Sequence, residues 1–261
     1  MTDLFAKDAF AGKVVLITGA SSGIGAGTAR AFAAHGAAVM VNGRNEARTR
    51  KVAEEITRAG GRAQASVGDV ARSAYCDALV AETVRAFGRL DVLFNNAGIV
   101  FNAKLDETDD ARWQQLIDTN LSGAFYMARA ALRPMKAQKS GVVINMSSEC
   151  ALIAYENLAP YSATKAAIAM MTKVMAIDHA RDGIRVNAVC PGDVDTPMVE
   201  TGWQQLKLTR EETLARLNAH IPIGRIGQPL DIANAVMFLS SDAASFITGA
   251  LLSIDGGTTA R

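Results

Sequence analysis

The sequence predicts an α/β protein in which a doubly wound parallel sheet of about seven strands carries helices on both faces. Short apolar, β-branched runs alternate with Ala-rich stretches of helical length along all 261 residues. This alternation is typical of βαβ units with right-handed crossovers. Several runs, such as residues 14–17 and 142–144, are apolar at consecutive positions, as expected of strands that helices cover on both sides.

The elements follow one another without a linker, repeat or low-complexity tract. We expect strands at residues 13–18, 37–42, 62–67, 90–95, 142–147, 184–189 and 250–254. The helical segments are about 23–35, 45–59, 72–87, 108–136, 160–182 and 229–240. Residues from about 196 to 225 break the alternation, and this polar excursion predicts a small substrate lid; a surface helical hairpin without a gating role is the alternative. We expect residues 1–261 to form a single domain.

The composition excludes several classes of protein. Lys and Arg number 27 against 26 Asp and Glu, so the basic excess of a general nucleic-acid binder is missing. Hydrophobic residues make up 49% of the chain and charged ones 20%, which excludes a disordered protein. No apolar stretch reaches the ~18–20 residues of a membrane span, and the chain starts without the basic segment of a signal peptide. We expect neither nucleic-acid nor membrane partners.

Cysteine and histidine usage argues against disulfides and a metal centre. Cys76, Cys150 and Cys190 are odd in number and far apart in the sequence, which suits the reducing cytoplasm. The three histidines form no ligand-spaced pair. We therefore expect no metal site, although carboxylates that are distant in sequence could still meet in the fold.

A glycine-rich turn follows the first predicted strand and opens the first predicted helix. Residues 18–25 read TGASSGIG. Glycine permits positive φ and lets a phosphate approach the backbone, and a helix N-terminus offers unpaired N–H groups and the positive end of its dipole. A turn that merely needs flexible residues is the alternative. The context favours a pyrophosphate site formed by Gly19, Ser21, Ser22, Gly23, Ile24 and Gly25.

In this turn and in further motifs the sequence resembles the short-chain dehydrogenase/reductase family. The motifs are NNAG at 95–98, YSATK at 161–165 with Ser148 upstream, Pro191-Gly192 followed by Thr196, and ITG…DGG at 247–257. Their order matches the family from about residue 11 to residue 257. The end of the chain looks most like the branch of 3-oxoacyl-carrier-protein reductases and glucose dehydrogenases. The resemblance implies a Rossmann-like fold, a nicotinamide dinucleotide and a small-molecule carbonyl or alcohol substrate.

The residues at the end of the second strand predict NADP(H). An acid at this point of a dinucleotide fold binds the ribose 2′-hydroxyl of NAD, whereas an arginine accommodates the 2′-phosphate of NADP. By the family's register the acid position is Gly43, and Arg44 follows it; a guanidinium suits a phosphate. NAD(H) stays the alternative, because Ser22 stands where many NADP-dependent members carry a second basic residue and Arg44 could instead stack on adenine.

The resemblance implies further cofactor contacts at the strand ends. Asp69 and Val70 resemble the family's adenine-contacting pair, with a helix N-cap as the other interpretation of Asp69. Asn95 and Asn96 could instead tie strand ends together through their side-chain amides. Thr196 could instead cap a helix before Pro197. The remaining implied contacts are Asn96, Ala97, Gly98, Pro191, Gly192, Val194 and Thr196.

Tyr161 and Lys165 predict acid–base chemistry at a carbonyl oxygen. A free tyrosine with a pKa near ~10 is a poor base at neutrality, and lowering that pKa by ~3 units requires roughly 4 kcal/mol. One cation at ~4 Å supplies on the order of 4 kcal/mol at an effective dielectric constant near 20. The two residues lie four apart on a predicted helix and so share one face. We expect Tyr161 to be the general acid/base and Lys165 to lower its pKa; outside this motif context such a pair is usually structural.

The resemblance assigns roles to the other members of this set. Lys165 would also hold the nicotinamide ribose, and Ser148 would bind and position the substrate oxygen. Asn120 matches the family's fourth catalytic residue, which supports a water that links the lysine to a proton relay.

The substrate pocket is less well defined by the sequence. Cys150 and Tyr155 occupy positions that face substrate in the family, and so do Trp203 on the lid and His220. We expect Glu149 to point to solvent. An acyl-carrier-protein substrate would need a basic surface near the mouth, for which the chain offers Arg133, Lys136, Arg210 and Arg216.

The combined prediction is an NADP(H)-dependent oxidoreductase that interconverts a ketone and a secondary alcohol. An NAD-dependent sugar or polyol dehydrogenase is the first alternative. A non-catalytic cofactor sensor is the second, and a lyase resembling halohydrin dehalogenases is disfavoured by the intact glycine turn and Lys165. The apolar, Ala- and Met-rich segments 108–136 and 160–182 suggest burial on more than one side, and the resemblance implies a homotetramer; a helix covered only by its own sheet is the alternative.

Overall fold

The computed structural model describes residues 4–199 and 208–261 and contains the predicted parallel sheet. The strand order is β3-β2-β1-β4-β5-β6-β7. All seven predicted strands are present, and their ends differ from the prediction by at most two residues. Their bounds are β1 Val14–Ile17, β2 Ala38–Gly43, β3 Arg62–Val67, β4 Val92–Asn95, β5 Gly141–Met146, β6 Ile184–Pro191 and β7 Leu251–Ile254.

Helices connect successive strands and cover both faces of the sheet. They are α1 Gly23–Ala34, α2 Glu46–Arg58, α3 Ser73–Phe87, α4 Asp110–Leu116, α5 Gly123–Gln138, α6 Ala159–His179, α7 Arg210–His220 and α8 Pro229–Ser240. The segment predicted as one helix over 108–136 is interrupted, because a π-helical turn at Ile117–Ser122 separates α4 from α5. The periodicity of the sequence gave no sign of this turn.

The apolar core forms two layers, one on each face of the sheet. Leu16 of β1 packs with Met40 and Leu93 of the neighbouring strands on one face. Ile17 of β1 packs with Phe94 on the other. All five side chains are fully buried, and burying a large apolar side chain contributes about 1.5–3 kcal/mol. This two-sided burial explains why the strands are apolar at consecutive positions.

The topology places one crevice at the carboxyl ends of the strands. β1 pairs with β2 on one side and with β4 on the other, and all of these pairings are parallel. The chain therefore runs outward from β1 in both directions, and ligands of open α/β sheets bind where the strand order reverses in this way.

The insertion between β6 and α8 is described only in part. Its helix α7 begins after Thr209, which forms a capping box with Glu212. Trp203 lies outside the described residues, so its predicted contact with substrate has no structural counterpart here. No helix among residues 4–199 and 208–261 is long and apolar enough to cross a membrane.

Candidate active site

The glycine-rich turn packs closely against neighbouring backbone at the end of β1. Gly19 has φ +63°, and a Cβ on it would lie 2.8 Å from the Ala97 Cα. A Cβ on Gly25 would lie 2.6 Å from the Gly19 carbonyl oxygen. Helix α1 starts at Gly23, and the Ser22 side chain makes no capping hydrogen bond to it. The first-turn N–H groups thus face a concave backbone surface that suits a phosphate.

The asparagine run holds the ends of neighbouring strands in register. Asn96 donates through Nδ2 to the Thr18 carbonyl at 2.8 Å, and its backbone N–H donates to the Thr18 hydroxyl at 3.0 Å. Asn95 donates to the Ala124 carbonyl at 2.7 Å and to Asn145 Oδ1 at 3.3 Å. The interpretation of these amides as ties between strand ends is confirmed. We call residues 18–25 and 95–98 the cradle.

The adenosine end of the crevice has no room for a side chain at the acid position. A Cβ on Gly43 would lie 2.6 Å from Thr49 Oγ1 and 2.8 Å from Ser21 Cβ. Arg44 is exposed, and its guanidinium lies 3.8 Å from Asp69 Oδ2. The side chains of Arg44 and Asp69 are 55% and 36% exposed, so this ion pair lies at the protein surface. A guanidinium, and no carboxylate of the second strand, therefore faces this end.

The helix N-cap interpretation of Asp69 is wrong. Helix α3 starts at Ser73 with Arg72 at its N-cap. The Asp69 carboxylate instead accepts from the Ala71 N–H at 3.0 Å within the preceding turn, which leaves its other oxygen toward Arg44. Val70 is buried.

Ser148, Tyr161 and Lys165 come together where β5 ends and α6 begins. Ser148 is the second residue after β5. Its hydroxyl accepts from the Cys150 N–H at 3.2 Å and shares a hydrogen bond with the Tyr161 hydroxyl. Lys165 lies one turn further along α6, is 2% exposed, and donates to the Met146 carbonyl at 2.8 Å. Its Nζ lies 5.5 Å from the centroid of the Tyr161 ring.

The electrostatics of this set differ from the expectation that Lys165 lowers the pKa of Tyr161. Burial raises the pKa of the Tyr161 phenol, and the hydrogen bond from Ser148 offsets part of that rise. Burial lowers the pKa of Lys165 to about 8. The protein's own residues therefore keep the phenol protonated at neutral pH, because desolvation of the phenolate outweighs the hydrogen bond from Ser148.

Asn120 is fixed by the π-helical turn between α4 and α5. Its Oδ1 accepts from the Ile99 N–H at 2.8 Å, and its Nδ2 donates to the Ile99 carbonyl at 2.9 Å. A Cβ on Gly98 would lie 3.3 Å from Asn120 Oδ1 and 3.6 Å from Lys165 Nζ. The side chains of Asn120 and Lys165 therefore both lie close to the face of Gly98 from which a Cβ would project. Such π turns occur often at functional sites.

The segment after β6 packs against the glycine turn. Val194 is buried and forms a bridge with Gly227. Thr196 is also buried, and its Cγ2 would lie 3.2 Å from a Cβ on Gly23. Residues 197–199 are helical, so Thr196 stands directly before a helical turn. Of the predicted cofactor residues of this segment, Thr196 therefore lies beside the cradle, whereas Pro191 and Gly192 line the cavity described next.

A cavity of about 860 Å³ opens next to Ser148 and Tyr161. Its volume falls within the range of small-molecule sites. Of the predicted substrate residues, Cys150, Tyr155 and His220 all line it. The other lining residues include Val100, Asn102, Glu149, Pro191, Gly192, Asp193, Met198 and Arg216.

The prediction that Glu149 points to solvent is wrong. Its side chain is 6% exposed, and a Cβ on Gly192 would lie 2.7 Å from Glu149 Oε2. Burial raises the pKa of the carboxyl to about 7; the hydrogen bond from Tyr155 opposes this rise, and the charge of Asp193 adds to it. The short 3₁₀ turn at Glu149–Ala151 after β5 folds the side chain inward, and no local sequence pattern signals that turn. We call Glu149, Tyr155, Gly192 and Asp193 the substrate wall.

The four basic residues considered for an acyl-carrier-protein surface do not form one patch. Arg133 is paired with Asp77 at 3.0 Å, and Lys136 with Asp182 at 3.2 Å; both basic residues line a different cavity, beside α5 and α6. Arg216 lines the cavity near Ser148. Arg210 is paired with Asp195 at 2.7 Å.

Comparison with known proteins gives one family and a set of full-length relatives. Residues 19–259 match the family model described as enoyl-(acyl carrier protein) reductase. The chain is 42% identical to an uncharacterized oxidoreductase of Thermotoga maritima over 96% of this chain and 99% of the relative. It is 42% identical to cis-4-hydroxycyclohexanecarboxylate dehydrogenase of Sinomonas cyclohexanicum (97% and 99%). It is 40% identical to 3beta-hydroxysteroid dehydrogenase 1 of Eggerthella lenta (97% and 95%).

Proposed function

The chain belongs to the short-chain dehydrogenase/reductase family, and we propose that it transfers a hydride between NADP(H) and a ketone or secondary alcohol. Membership implies a nicotinamide cofactor and an oxidoreductase that acts on CH–OH groups. The observation that carries the proposal is the convergence of Ser148, Tyr161 and Lys165: Ser148 and Tyr161 line the cavity, and Lys165 lies beside Gly98 of the cradle.

Tyr161 and Ser148 handle the substrate oxygen. When bound, the nicotinamide supplies or accepts the hydride. Because burial raises its pKa, Tyr161 is protonated at neutral pH and can donate a proton to the oxygen of a carbonyl that is being reduced. Ser148, which shares a hydrogen bond with that phenol, holds the same oxygen within reach of the proton and stabilises its developing charge.

Lys165 and Asn120 restore the proton on Tyr161 and hold the ribose side of the site. The pKa of Lys165 is lowered to about 8, so its ammonium group can release and regain a proton near neutral pH. Asn120 is fully buried and anchored to Ile99 on both sides of its amide. A fixed amide next to Lys165 suits the support of a water through which that proton passes.

The shape of the cradle supports a dinucleotide, and Arg44 supports its phosphorylated form. Gly19 and Gly25 allow a close backbone packing in which a Cβ would clash, and the N-terminus of α1 that starts in this turn suits a pyrophosphate. Gly43 leaves no carboxylate at the 2′ position, and Arg44 stands exposed beside it, where a guanidinium can bind a phosphate.

NAD(H) is the second candidate, and the Arg44–Asp69 pair favours it. An arginine that is engaged by a carboxylate at 3.8 Å offers less charge to a phosphate. In this case the protein would be an NAD-dependent dehydrogenase that oxidises a polyol or another secondary alcohol. The hydroxycyclohexane and hydroxysteroid dehydrogenases among the relatives suggest an alicyclic secondary alcohol as substrate in either case.

Two further properties follow from the surface and the cysteines. Phe125 on α5 and Met170, Val174 and Ile177 on α6 are large, apolar and exposed, and a cavity of about 400 Å³ lies between these helices. We propose that this face is an interface of a homotetramer.

All three cysteines are unpaired, which supports the cytoplasm as the compartment.

The initial rates of NADPH and NADH oxidation with a panel of cyclic, linear and acyl-thioester ketones test the proposal. We expect turnover of cyclic ketones, with NADPH used at least about tenfold more efficiently than NADH. Faster turnover with NADH would exclude the proposed cofactor and select the second candidate. Tight binding of a cofactor without turnover of any ketone would contradict the proposed reaction.

A further inference from the structure

The cavity beside Ser148 and Tyr161 is lined by an arginine that the proposed reaction does not use. Arg216 of α7 lines the same cavity of about 860 Å³ as these two side chains. Its side chain is exposed, and in the described part of the chain no residue forms an ion pair or a hydrogen bond with its guanidinium. A guanidinium presents N–H donors in a planar fork that matches a carboxylate. Arg216 can therefore offer both charge and hydrogen bonds to a ligand in this cavity.

The neighbouring arginines differ from Arg216 because carboxylates neutralise them. Arg210 at the start of α7 is paired with Asp195 at 2.7 Å. Arg225, which follows α7, is paired with Asp231 at 2.6 Å. Arg216 lies between these two arginines in the sequence and has no acidic partner among the residues that the structure describes. Its charge is therefore available to a ligand.

The end of α7 that carries Arg216 is anchored to the rest of the protein. Leu217 is 6% exposed and lines the same cavity. Asn218 Oδ1 accepts from the Ile226 N–H at 2.7 Å. His220 stands one helical turn after Arg216, on the same face of the helix, and also lines the cavity. Binding of an anion by Arg216 therefore has to order little more than one side chain, which keeps the entropic cost small.

The carboxyl groups at this cavity do not neutralise Arg216. Burial raises the pKa values of both Glu149 and Asp193, and the charge of Arg216 has no part in either shift. A guanidinium close to these carboxyls would lower their pKa values. Glu156 also lines the cavity but is exposed, so water and salt screen its charge. The cavity therefore has an acidic side, formed by the residues next to Ser148 and Gly192, and a basic side on α7.

We propose that Arg216 is a specificity-determining residue that binds an anionic group of the substrate, so that hydroxy acids and oxo acids with a carboxylate remote from the reacting carbon are preferred over their neutral counterparts. The inference rests on the proposed function and names the substrate class of the same site. With the reacting oxygen at Ser148 and Tyr161, a carboxylate on the basic side gains charge-assisted hydrogen bonds. The acidic side disfavours a carboxylate close to the reacting carbon.

The test compares kcat/KM for 4-hydroxycyclohexylacetate with kcat/KM for its primary amide, both oxidised with NADP⁺ and with NAD⁺. A second pair, 3-(4-hydroxycyclohexyl)propionate and its amide, places the carboxylate one methylene further from the reacting carbon. Within each pair the ratio cancels changes that affect acid and amide alike. We expect a ratio of about 10 or more in the wild type for at least one pair. The ratio should fall as salt is added, because salt screens an exposed charge.

Substitutions of Arg216 assign the preference to its guanidinium. In Arg216→Met the ratio should fall to about 1 through loss of the rate with the acid. Arg216→Lys keeps the charge without the planar fork and should retain part of the preference. Arg216→Glu should reverse the selection and favour 4-(2-aminoethyl)cyclohexanol over the amide.

Arg85→Met is the matched control. Arg85 lies exposed on α3, away from the cavity, and forms no ion pair in the described part of the chain. This variant loses the same charge as Arg216→Met, and its ratio should equal that of the wild type.

A ratio near 1 for both pairs in the wild type, or a ratio unchanged in Arg216→Met, would overturn the inference and leave the proposed function intact. So would a wild-type preference for 4-(2-aminoethyl)cyclohexanol, since the acidic side would then select the substrate. Oxidation of cyclohexanol but of none of these probes would also overturn the inference alone. If protein that binds NADP⁺ or NAD⁺ oxidised neither cyclohexanol nor any probe, the proposed function would fail and the inference with it.

Discussion

The cradle and the substrate wall adjoin each other but are built in different ways. The cradle consists of backbone and small residues whose amides are satisfied by neighbouring strand ends, as with Asn96 and Thr18. The substrate wall presents three polar side chains around Gly192, and burial raises the pKa values of two of them, Glu149 and Asp193. The cradle is fixed by main-chain geometry, whereas the substrate wall holds carboxyl groups in buried surroundings that disfavour their charged forms.

This difference separates what the two regions can do. A cradle closed by backbone contacts binds a group common to many substrates and tolerates little change. A wall that presents polar side chains to the cavity can distinguish substrates. Replacing a cradle residue is therefore expected to lower the stability of the fold. Replacing a carboxyl residue of the substrate wall is expected to raise stability and to change substrate specificity.

Tyr161→Phe, at the junction of the two regions, should have the largest effect. Removal of the hydroxyl eliminates the proton donor, so kcat should fall by about 10³-fold or more. The Kd for NADPH should stay within about twofold, because the ring and Lys165 remain. Steady-state rates and fluorescence titration measure the two quantities. Tyr155→Phe is the control on the substrate wall, and a loss there as large as in Tyr161→Phe would contradict the assignment.

Gly19→Ala should damage the cradle through both strain and steric contact. The residue has φ +63°, and the added Cβ would meet the Ala97 backbone at 2.8 Å. We expect the Kd for NADPH to rise about tenfold or more and the Tm to fall by several degrees. Gly60→Ala is matched in backbone conformation, with φ +87° and nothing within 4 Å of the added Cβ. An equal change in Kd in both variants would exclude a specific role of the cradle.

Arg44→Ala should weaken binding of NADPH by about tenfold at low salt, because one charge-assisted contact to a phosphate is lost. Binding of NADH should change by less than about twofold. Arg58→Ala removes a similarly exposed arginine from the end of α2 and should affect neither cofactor. Isothermal titration calorimetry at two salt concentrations measures these affinities. Equal losses for NADPH and NADH would support stacking of Arg44 on adenine instead of binding to the 2′-phosphate.

Glu149→Gln should have the smallest effect, a pH-dependent gain in stability. Burial raises the pKa of the carboxyl in the folded protein to about 7 from its ordinary value of 4.5, so between these values the folded state holds a proton that the unfolded chain has released. The wild type thus loses stability as the pH rises from 4.5 to 7, on the order of 1–3 kcal/mol.

The variant carries no such group. Its Tm should exceed that of the wild type by about 2–6 °C above pH 8 and by less than about 1 °C near pH 4. Calorimetric scans across this pH range test the prediction, with Glu156→Gln as the exposed control. A gain of the same size at both ends of the range would show that the charge of Glu149 does not destabilise the fold.

The sequence predicted the sheet and the cradle well because both depend on local patterns. Consecutive apolar residues mark each strand, and the spacing of Gly19, Gly23 and Gly25 marks the turn. The convergence of Ser148 with Tyr161 could also be expected, since both follow the end of β5 in a recurring motif.

The substrate wall could not be predicted in the same way. Whether Glu149 turns inward depends on a 3₁₀ turn and on the missing side chain of Gly192, which is distant in sequence. The π turn that fixes Asn120 likewise depends on how α4 and α5 pack. The pKa of Tyr161 was expected to be lowered by a single charge, but its direction is set by burial, which a helix position does not reveal.

The most direct test of hydride transfer at this site uses NADPH with deuterium at both C4 positions of the nicotinamide. A cyclic ketone is reduced by the wild type, and the product alcohol is analysed by mass spectrometry and NMR. We expect one deuterium on the former carbonyl carbon, a proton from solvent on its oxygen, and about 10³-fold less product or lower from Tyr161→Phe in the same time. An alcohol without deuterium on carbon, or undiminished product from the variant, would contradict the proposed hydride transfer.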